Sequence, residues 1–364
     1  MESLNKEIIL ITGITGYLGS WVAKTFVEKT NHTHRIRAST RSLQKIEKLM
    51  PLKAAFGNEE FEMIEFVEAD LSDKQSLFNA VQGVSYIIHV ASPLPGQGIS
   101  DREMISQAQE GMKFLLDAAV QNKVKKIVVT SSLATIQGNH FRKSERNHVY
   151  DENDFAPIAG VEGYIKSKIV QEHELINFLK HQCQNPDPSG YQLEICTIHP
   201  TFILGPSLIK ERHSSIEAIC RILNNEIPAI PKFGSPAVDV RDVALLHYLA
   251  FEKQNIQGER FLATQETISL LDIANILKEE FQPQGYKVQT KLIGYCPLKL
   301  ASYFNREVKS ILPFINENSQ ASNIKSIEVL GMKYTREMKQ IVIDMGYSII
   351  EKGLIPDKRK NSKK

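Results

Sequence analysis

The chain of 364 residues, 42% hydrophobic and 24% charged, has the size and balance of one large globular domain or two modest ones. Its formal net charge is +2, and its basic residues cluster only in the closing DKRKNSKK, which leaves no electrostatic footprint for a nucleic-acid partner. No apolar run approaches the roughly 18 residues of a membrane span, and the opening MESLNKEIILITG lacks the charged-then-apolar pattern of a signal peptide. Cys183, Cys196, Cys220 and Cys296 show neither C-x-x-C spacing nor histidine partners at metal-site spacing. Free thiols, no metal, no membrane association and a cytoplasmic setting are therefore expected.

Taken in order, residues 7–12 (EIILIT) read as a buried strand and 16–29 as a helix with apolar residues at Leu18, Val22, Ala23, Phe26 and Val27. Strands follow at 35–40, 63–70, 85–92, 126–132 and 191–200, interleaved with helices at 73–82, about 100–122 and 162–182. Beyond Pro200 the texture changes: about 208–235 is irregular around a helix at 215–224, then 239–251 and 258–264 read as a helix and a strand that rejoin the sheet. From Ser269 the pattern is mainly helical. Such alternation predicts an α/β fold, a doubly wound parallel Rossmann sheet with a smaller, mostly helical C-terminal domain over its carboxyl edge.

Gly13, Gly16 and Gly19 follow the first strand and open the first helix. In that context the first glycine permits a tight turn, the second lets backbone approach a pyrophosphate, and the third allows close helix–strand contact. The anion then meets free N–H groups and the positive end of the helix dipole. The end of the second strand separates the two nicotinamide cofactors, because a carboxylate there binds a ribose hydroxyl and an arginine accommodates the extra phosphate. Here the strand ends Ser39-Thr40-Arg41-Ser42, with Lys45 one helical turn beyond Arg41. That favours NADP (NADPH) over NAD. Asp70 and Leu71 end the third strand as an edge for the adenine, although Asp70 could equally cap the next helix. Val90, Ala91 and Ser92 end the fourth strand beside the expected crevice, while His89 reads as a packed core residue.

Tyr164 and Lys168 lie four apart in a helical stretch, so both project from one face. Reduction of a carbonyl creates an alkoxide that needs a proton, and a phenol with a pKa of about 10 needs nearby positive charge to supply one. Lys168 would provide that charge, and a serine at the end of the fifth strand would hydrogen-bond the carbonyl oxygen. Ser131 and Ser132 both stand there, with Thr135 on the following turn.

Taken together, the stretches TGITGYLGSWVAKTFVEK, RASTRS, EADLSD, HVASP, VVTSSLAT, GYIKSK, IHPTFILGPSL, DVRDVALLHYLA and GERFLAT resemble the extended short-chain dehydrogenase/reductases, in the NAD-dependent epimerase/dehydratase superfamily. The resemblance is strongest to the branch of dihydroflavonol reductases, cinnamoyl-CoA reductases and ketone/aldehyde reductases, over roughly residues 7–265. It implies an oxidoreductase acting on CH–OH groups with NAD(P), reducing a ketone or aldehyde, with Ser132, Tyr164 and Lys168 as the catalytic set. Ser132 matches the second serine of the family's Thr-Ser-Ser motif. Cofactor contacts carry over to Gly13, Gly16, Tyr17, Leu18, Gly19, Arg41, Lys45, Asp70, Leu71, Val90, Ala91 and Ser92, to Tyr164 and Lys168, to Pro200 and Ile203 beside the nicotinamide, and to Ser215 near the phosphates.

Two features depart from the pattern. His199 stands where the family usually has Asn or Arg, and the asparagine of dihydroflavonol recognition has only Gln137 as a near counterpart. The alternatives are an NAD-dependent sugar-nucleotide epimerase/dehydratase, which would carry an acid where Arg41 stands, and a non-catalytic NADP-binding sensor, which would often lack Tyr164 or Lys168. A sterol dehydrogenase would usually carry a membrane segment. The expected partner is a small-molecule carbonyl compound, bound by a monomer or homodimer. The expected division assigns residues 1–204 and about 237–265 to the dinucleotide, about 205–236 and 266–355 to the substrate, and 356–364 to a solvated basic tail.

Overall fold

The computed structural model describes residues 6–44, 49–94, 98–138, 148–212 and 214–359. Its centre is a parallel sheet of seven strands: β1 (Ile8–Thr12), β2 (Arg35–Thr40), β3 (Glu65–Glu68), β4 (Tyr86–His89), β5 (Lys126–Thr130), β6 (Glu194–Pro200) and, after the insertion described below, β9 (Arg260–Ala263). The order across the sheet is β9-β6-β5-β4-β1-β2-β3, and every pairing is parallel. Strand order reverses between β1 and β4, where an open α/β sheet leaves its ligand crevice.

The crossovers are α1 (Tyr17–Thr30), α2 (Lys74–Val81), α3 (Asp101–Gln121) and α4 (Gly163–Gln184). Alternate residues of β1 serve opposite faces, as the period of two requires. Ile9 and Ile11 pack with Val22, Ala23 and Phe26 of α1, whereas Ile8 and Leu10 pack with Leu77 of α2, Leu115 of α3 and Leu175 of α4. Side chains cap two of these helices: Ser100 and Glu103 form a reciprocal box at the start of α3, and Asp73 accepts from Gln75 and Ser76 at the start of α2.

Past β6 the chain forms β7 (Phe202–Leu204), α5 (Ser214–Leu223), β8 (Gly234–Asp239), α6 (Val240–Glu252) and, after β9, β10 (Glu266–Ser269), α7 (Leu270–Phe281) and α8 (Met338–Glu351). Strands β7, β8 and β10 make a second, mixed sheet absent from the sequence reading. Its middle strand opens Gly-Ser-Pro, a turn signature, and β7 has only three residues, so no strand periodicity showed. This sheet shares a separate core with α5, α7 and α8, built on Ile219, Leu277, Phe281, Ile341 and Met345. Two short helices, Met50–Phe56 and Asn58–Glu62, were also unforeseen, being too brief to establish a helical period. No described helix is long and apolar enough to cross a membrane.

Several strands end earlier than their composition suggests. Beyond His89 the Val90 and Ala91 N–H groups donate to Oγ1 of Thr12, at 3.1 and 3.0 Å, instead of continuing a ladder. Ahead of β6, Leu193 bonds through both N–H and C=O to the side chain of Gln182.

Candidate active site

The turn after β1 is built by steric exclusion. Gly13 has φ +77°, and a Cβ there would sit 2.9 Å from Cα of Ala91. A Cβ on Gly19 would overlap the carbonyl oxygen of Gly13. Glycine at both positions therefore lets α1 and the end of β4 close on the turn. Gly16 caps α1 without any side-chain bond, and the first turn carries no acidic residue, so the helix dipole there is left for an anion. Tyr17 contributes differently from its neighbours: its hydroxyl donates to Gly205 O at 2.7 Å, and Trp21 Nε1 donates to Pro206 O at 2.7 Å. These bonds dock α1 against the chain leaving β7.

A cleft of about 570 Å³ opens at the carboxyl ends of the strands. Gly13, Gly16, Tyr17, Leu18 and Gly19 line it from the turn, Arg41 from the end of β2, and Asp70 and Leu71 from the end of β3. Val90, Ala91 and Ser92 line it beyond β4, Ser132 beyond β5, and Tyr164 and Lys168 from α4. Pro200, Ile203 and Ser215 complete the wall from β6, β7 and α5. Thus the sequence-predicted residues come together in one place, except Lys45, which lies outside the described residues.

Asp70 does not cap α2; that is done by Asp73. Its Oδ1 instead accepts from the amide and hydroxyl of Ser72 at 2.8 and 2.6 Å, which holds the carboxylate at the cleft edge. Near Arg41 the carboxylate of Glu68 is engaged by the Leu43 amide at 2.7 Å. Sequence reasoning missed Gln107, which lines the cleft from α3 one turn before Gly111, the position whose missing Cβ admits Leu71. It also missed the apolar wall of Leu94, Ile99 and Phe202. Nothing in the local pattern marks these residues, because each owes its place to tertiary packing.

On the opposite wall, α4 starts at Gly163 with φ +55°, and Tyr164 stands in its first turn. Lys168 is 3% exposed, and its Nζ donates to Thr130 O at 3.1 Å and Gln171 Oε1 at 3.3 Å. Burial pulls its pKa down to about 8 against the opposing pull of the Glu172 carboxylate. Burial pushes the Tyr164 phenol up, and a hydrogen bond with Ser132 eases it back. Both candidate serines line the cleft but are bonded differently: Ser132 meets Tyr164, whereas Ser131 donates to Glu172 Oε2 at 3.3 Å and lies 3.3 Å from Thr135 Oγ1.

His89 and His199 are interior. His199 bonds Thr197 Oγ1 through Nε2 at 2.7 Å and Thr135 Oγ1 through Nδ1 at 3.0 Å, and burial lowers its pKa to about 4. His89 is lowered to about 3 by burial and by the Lys168 charge, and its Nδ1 meets Thr12 Oγ1 at 3.0 Å. The Thr12 hydroxyl already accepts two amide hydrogens, so its own proton goes to Nδ1 and the His89 proton sits on Nε2. Gln137 is buried beside the site, its Nε2 without a hydrogen-bond partner among the described residues, and it is not part of the cleft wall.

With this geometry in hand, the profile of the 3-beta hydroxysteroid dehydrogenase/isomerase family matches residues 10–267. The chain belongs to that family. Chains similar to it include an uncharacterized oxidoreductase of Schizosaccharomyces pombe, 29% identical over 296 residues that cover 76% of this chain and 83% of the relative. Cinnamoyl-CoA reductase 1 of Arabidopsis thaliana is 25% identical over 331 residues, covering 89% of this chain and 90% of the reductase. Among solved structures, Gre2 from Candida albicans in complex with NADPH superposes with a TM-score of 0.74 at 23% identity, covering 95% of this chain and 99% of that one. The family assignment and these relatives agree with the extended short-chain dehydrogenase/reductase motifs. The family's name does not by itself assign a steroid to this cleft.

Proposed function

We propose that this oxidoreductase reduces a ketone or aldehyde with NADPH, using Tyr164 as proton donor. The observation that carries the reading is the convergence of Ser132, Tyr164 and Lys168 on the same cleft that the glycine turn and Arg41 line. The turn suits a pyrophosphate, because Gly13 and Gly19 let it close against β4 and α1 without a Cβ clash, and no side chain caps the N-terminus of α1. Arg41, with no acid at the end of β2, suits the phosphate that distinguishes NADP. Similar chains support the reading: Gre2 is solved in complex with NADPH, and the cinnamoyl-CoA reductases are reductases by name.

Bound NADPH would supply the hydride that reduces the carbonyl carbon. The Ser132 hydroxyl donates to the carbonyl oxygen and orients it, and the Tyr164 hydroxyl passes its proton to the same oxygen as negative charge develops. Lys168, charged at neutral pH with its pKa near 8, stabilises the phenolate left behind. The apolar wall of Leu94, Ile99 and Phe202 excludes water and favours an uncharged organic carbonyl compound.

The test is NADPH consumption with a panel of aldehydes, ketones and diketones, run beside NADH. The reading expects turnover of at least one compound with NADPH preferred. Protein that retains tightly bound NAD through purification and turns over a nucleotide sugar instead would overturn it.

A further inference from the structure

Behind the Ser132–Tyr164–Lys168 face lies a buried charge cluster with no direct part in that reaction. Glu172 stands one helical turn beyond Lys168 on α4 and is 4% exposed. One carboxylate oxygen, Oε2, accepts from Ser131 Oγ at 3.3 Å. The other, Oε1, lies 2.8 Å from Arg260 Nε as a close ion pair and 3.9 Å from His199 Nε2. Arg260 reaches in from the edge strand β9, where its Nη1 donates to the carbonyls of Glu152 and Asp154 at 2.7 and 2.8 Å. Its guanidinium also lies 4.0 Å above the Phe155 ring.

The groups that face Lys168 can be taken element by element. Its own helix brings Tyr164 and Glu172, β4 brings His89, β6 brings His199, and β9 brings Arg260 by way of Glu172. Both histidines are held neutral by burial. Glu152 and Asp154 act on Arg260 from the loop ahead of α4. Arg260 pairs with the carboxylate directly, and Lys168 stands one helical turn from it, bonded to Thr130 O and Gln171 Oε1. A buried ammonium without a counter-charge gives up its proton more readily, and a buried ion pair that loses one member leaves the other uncompensated.

We propose that Glu172 is a positioning residue for the reduction: its carboxylate, paired with Arg260 and one helical turn from Lys168, is the counter-charge of the Lys168 ammonium and, through Ser131, fixes the end of β5 that presents Ser132. The proposal rests on the reductase reading of the cleft. It makes a prediction of opposite signs. Glu172→Gln removes the counter-charge and lowers the titration of Lys168. Arg260→Gln leaves Glu172 wholly to Lys168, removes a neighbouring positive charge, and raises it. Because Tyr164 donates poorly once Lys168 is neutral, the basic limb of the kcat profile follows.

The experiment is a lysine-selective ¹³Cε NMR titration of the full chain, with the Lys168 signal assigned by its loss in Lys168→Met, beside kcat measured from pH 6 to 10 on the best panel carbonyl. The shift expected is about one pH unit downward in Glu172→Gln and a rise in Arg260→Gln, seen in both readouts. Thermal melting confirms folding of each variant. If Glu172→Gln does not fold, Arg260→Gln decides alone: an unchanged or lowered Lys168 titration overturns the proposal. A Lys168 titration that moves while the kcat limb stays put overturns the positioning role. Wild-type protein that reduces no carbonyl compound contradicts the reductase reading itself, and the NMR titration still reports whether Glu172 governs Lys168.

Discussion

The two walls of the cleft are made in different ways. The phosphate-turn wall is backbone, shaped by atoms that are missing: Gly13 and Gly19 exclude a Cβ, and the hydrogen-bond donors are the amides that open α1. The α4 wall is side chain, held by polar groups from α4, β5, β6, β9 and the loop at 148–155 that are almost entirely withdrawn from water. One wall tolerates no added atom, whereas the other tolerates no change of charge. The contrast assigns steric failure to the first and electrostatic failure to the second, and four substitutions or conditions probe it.

The largest effect is expected at the turn. Gly19→Ala would force its Cβ into the Gly13 carbonyl, which cannot yield because it is backbone. We expect loss of NADPH binding in a fluorescence titration and a fall in melting temperature. A variant that binds NADPH normally would mean that the turn can relax. Next comes Lys168→Met, which removes charge while keeping bulk. Turnover should fall on the order of 10²- to 10⁴-fold, the span typical of acid–base catalysis, measured by NADPH consumption.

Acid stability separates the walls more gently. His89, His199 and His247 are lowered to about 3, 4 and 4 by burial, against an unfolded value of 6.5. Below pH 6.5 the unfolded chain binds protons that the native histidines refuse, so stability falls as pH drops from 6.5 toward 4. At pH 5 the linkage relation gives about 2 kcal/mol lost per histidine. Asp242 works in the opposite direction, since its pKa is raised to about 6 by burial and by Asp239, and it recovers part of that loss between pH 6 and 3.8. Melting curves between pH 7 and 4.5 should show the net decline. A melting temperature that holds steady to pH 5 would indicate that the histidines reach water.

The smallest effect concerns cofactor choice. Arg41→Gln should raise the KM for NADPH roughly 10- to 100-fold, the scale of a lost charge-assisted phosphate contact, and leave NADH unaffected. Equal loss with both cofactors would place Arg41 outside the phosphate site.

The contrast also explains what could be read beforehand. A glycine turn announces itself locally, because three spaced glycines between a strand and a helix have few other uses, and the parallel sheet follows from the alternation of strands and helices. The charge cluster is not local. Glu172 sits in QEHEL of the helix at 162–182 and Arg260 in GERFLAT of the strand at 258–264, and nothing local marks either as a partner of the other. Only the fold, by placing β9 beside β6 and α4 against both, converts them into buried partners. Tyr164, Lys168 and Glu172 were already four apart in the chain, and the sequence reading stopped at the second of them. Between Ser131 and Ser132, the Thr-Ser-Ser motif of the resemblance favoured Ser132, whereas the bond of Ser131 to Glu172 could not be read from the chain.

The most direct measurement of the central claim compares wild-type protein with Tyr164→Phe, following NADPH consumption with the best carbonyl substrate and NADPH affinity in parallel. The account predicts that turnover falls by at least about two orders of magnitude while NADPH affinity is retained, as expected if the phenol is the proton donor and the glycine turn and Arg41 hold the cofactor. Turnover by Tyr164→Phe at the wild-type rate would contradict it.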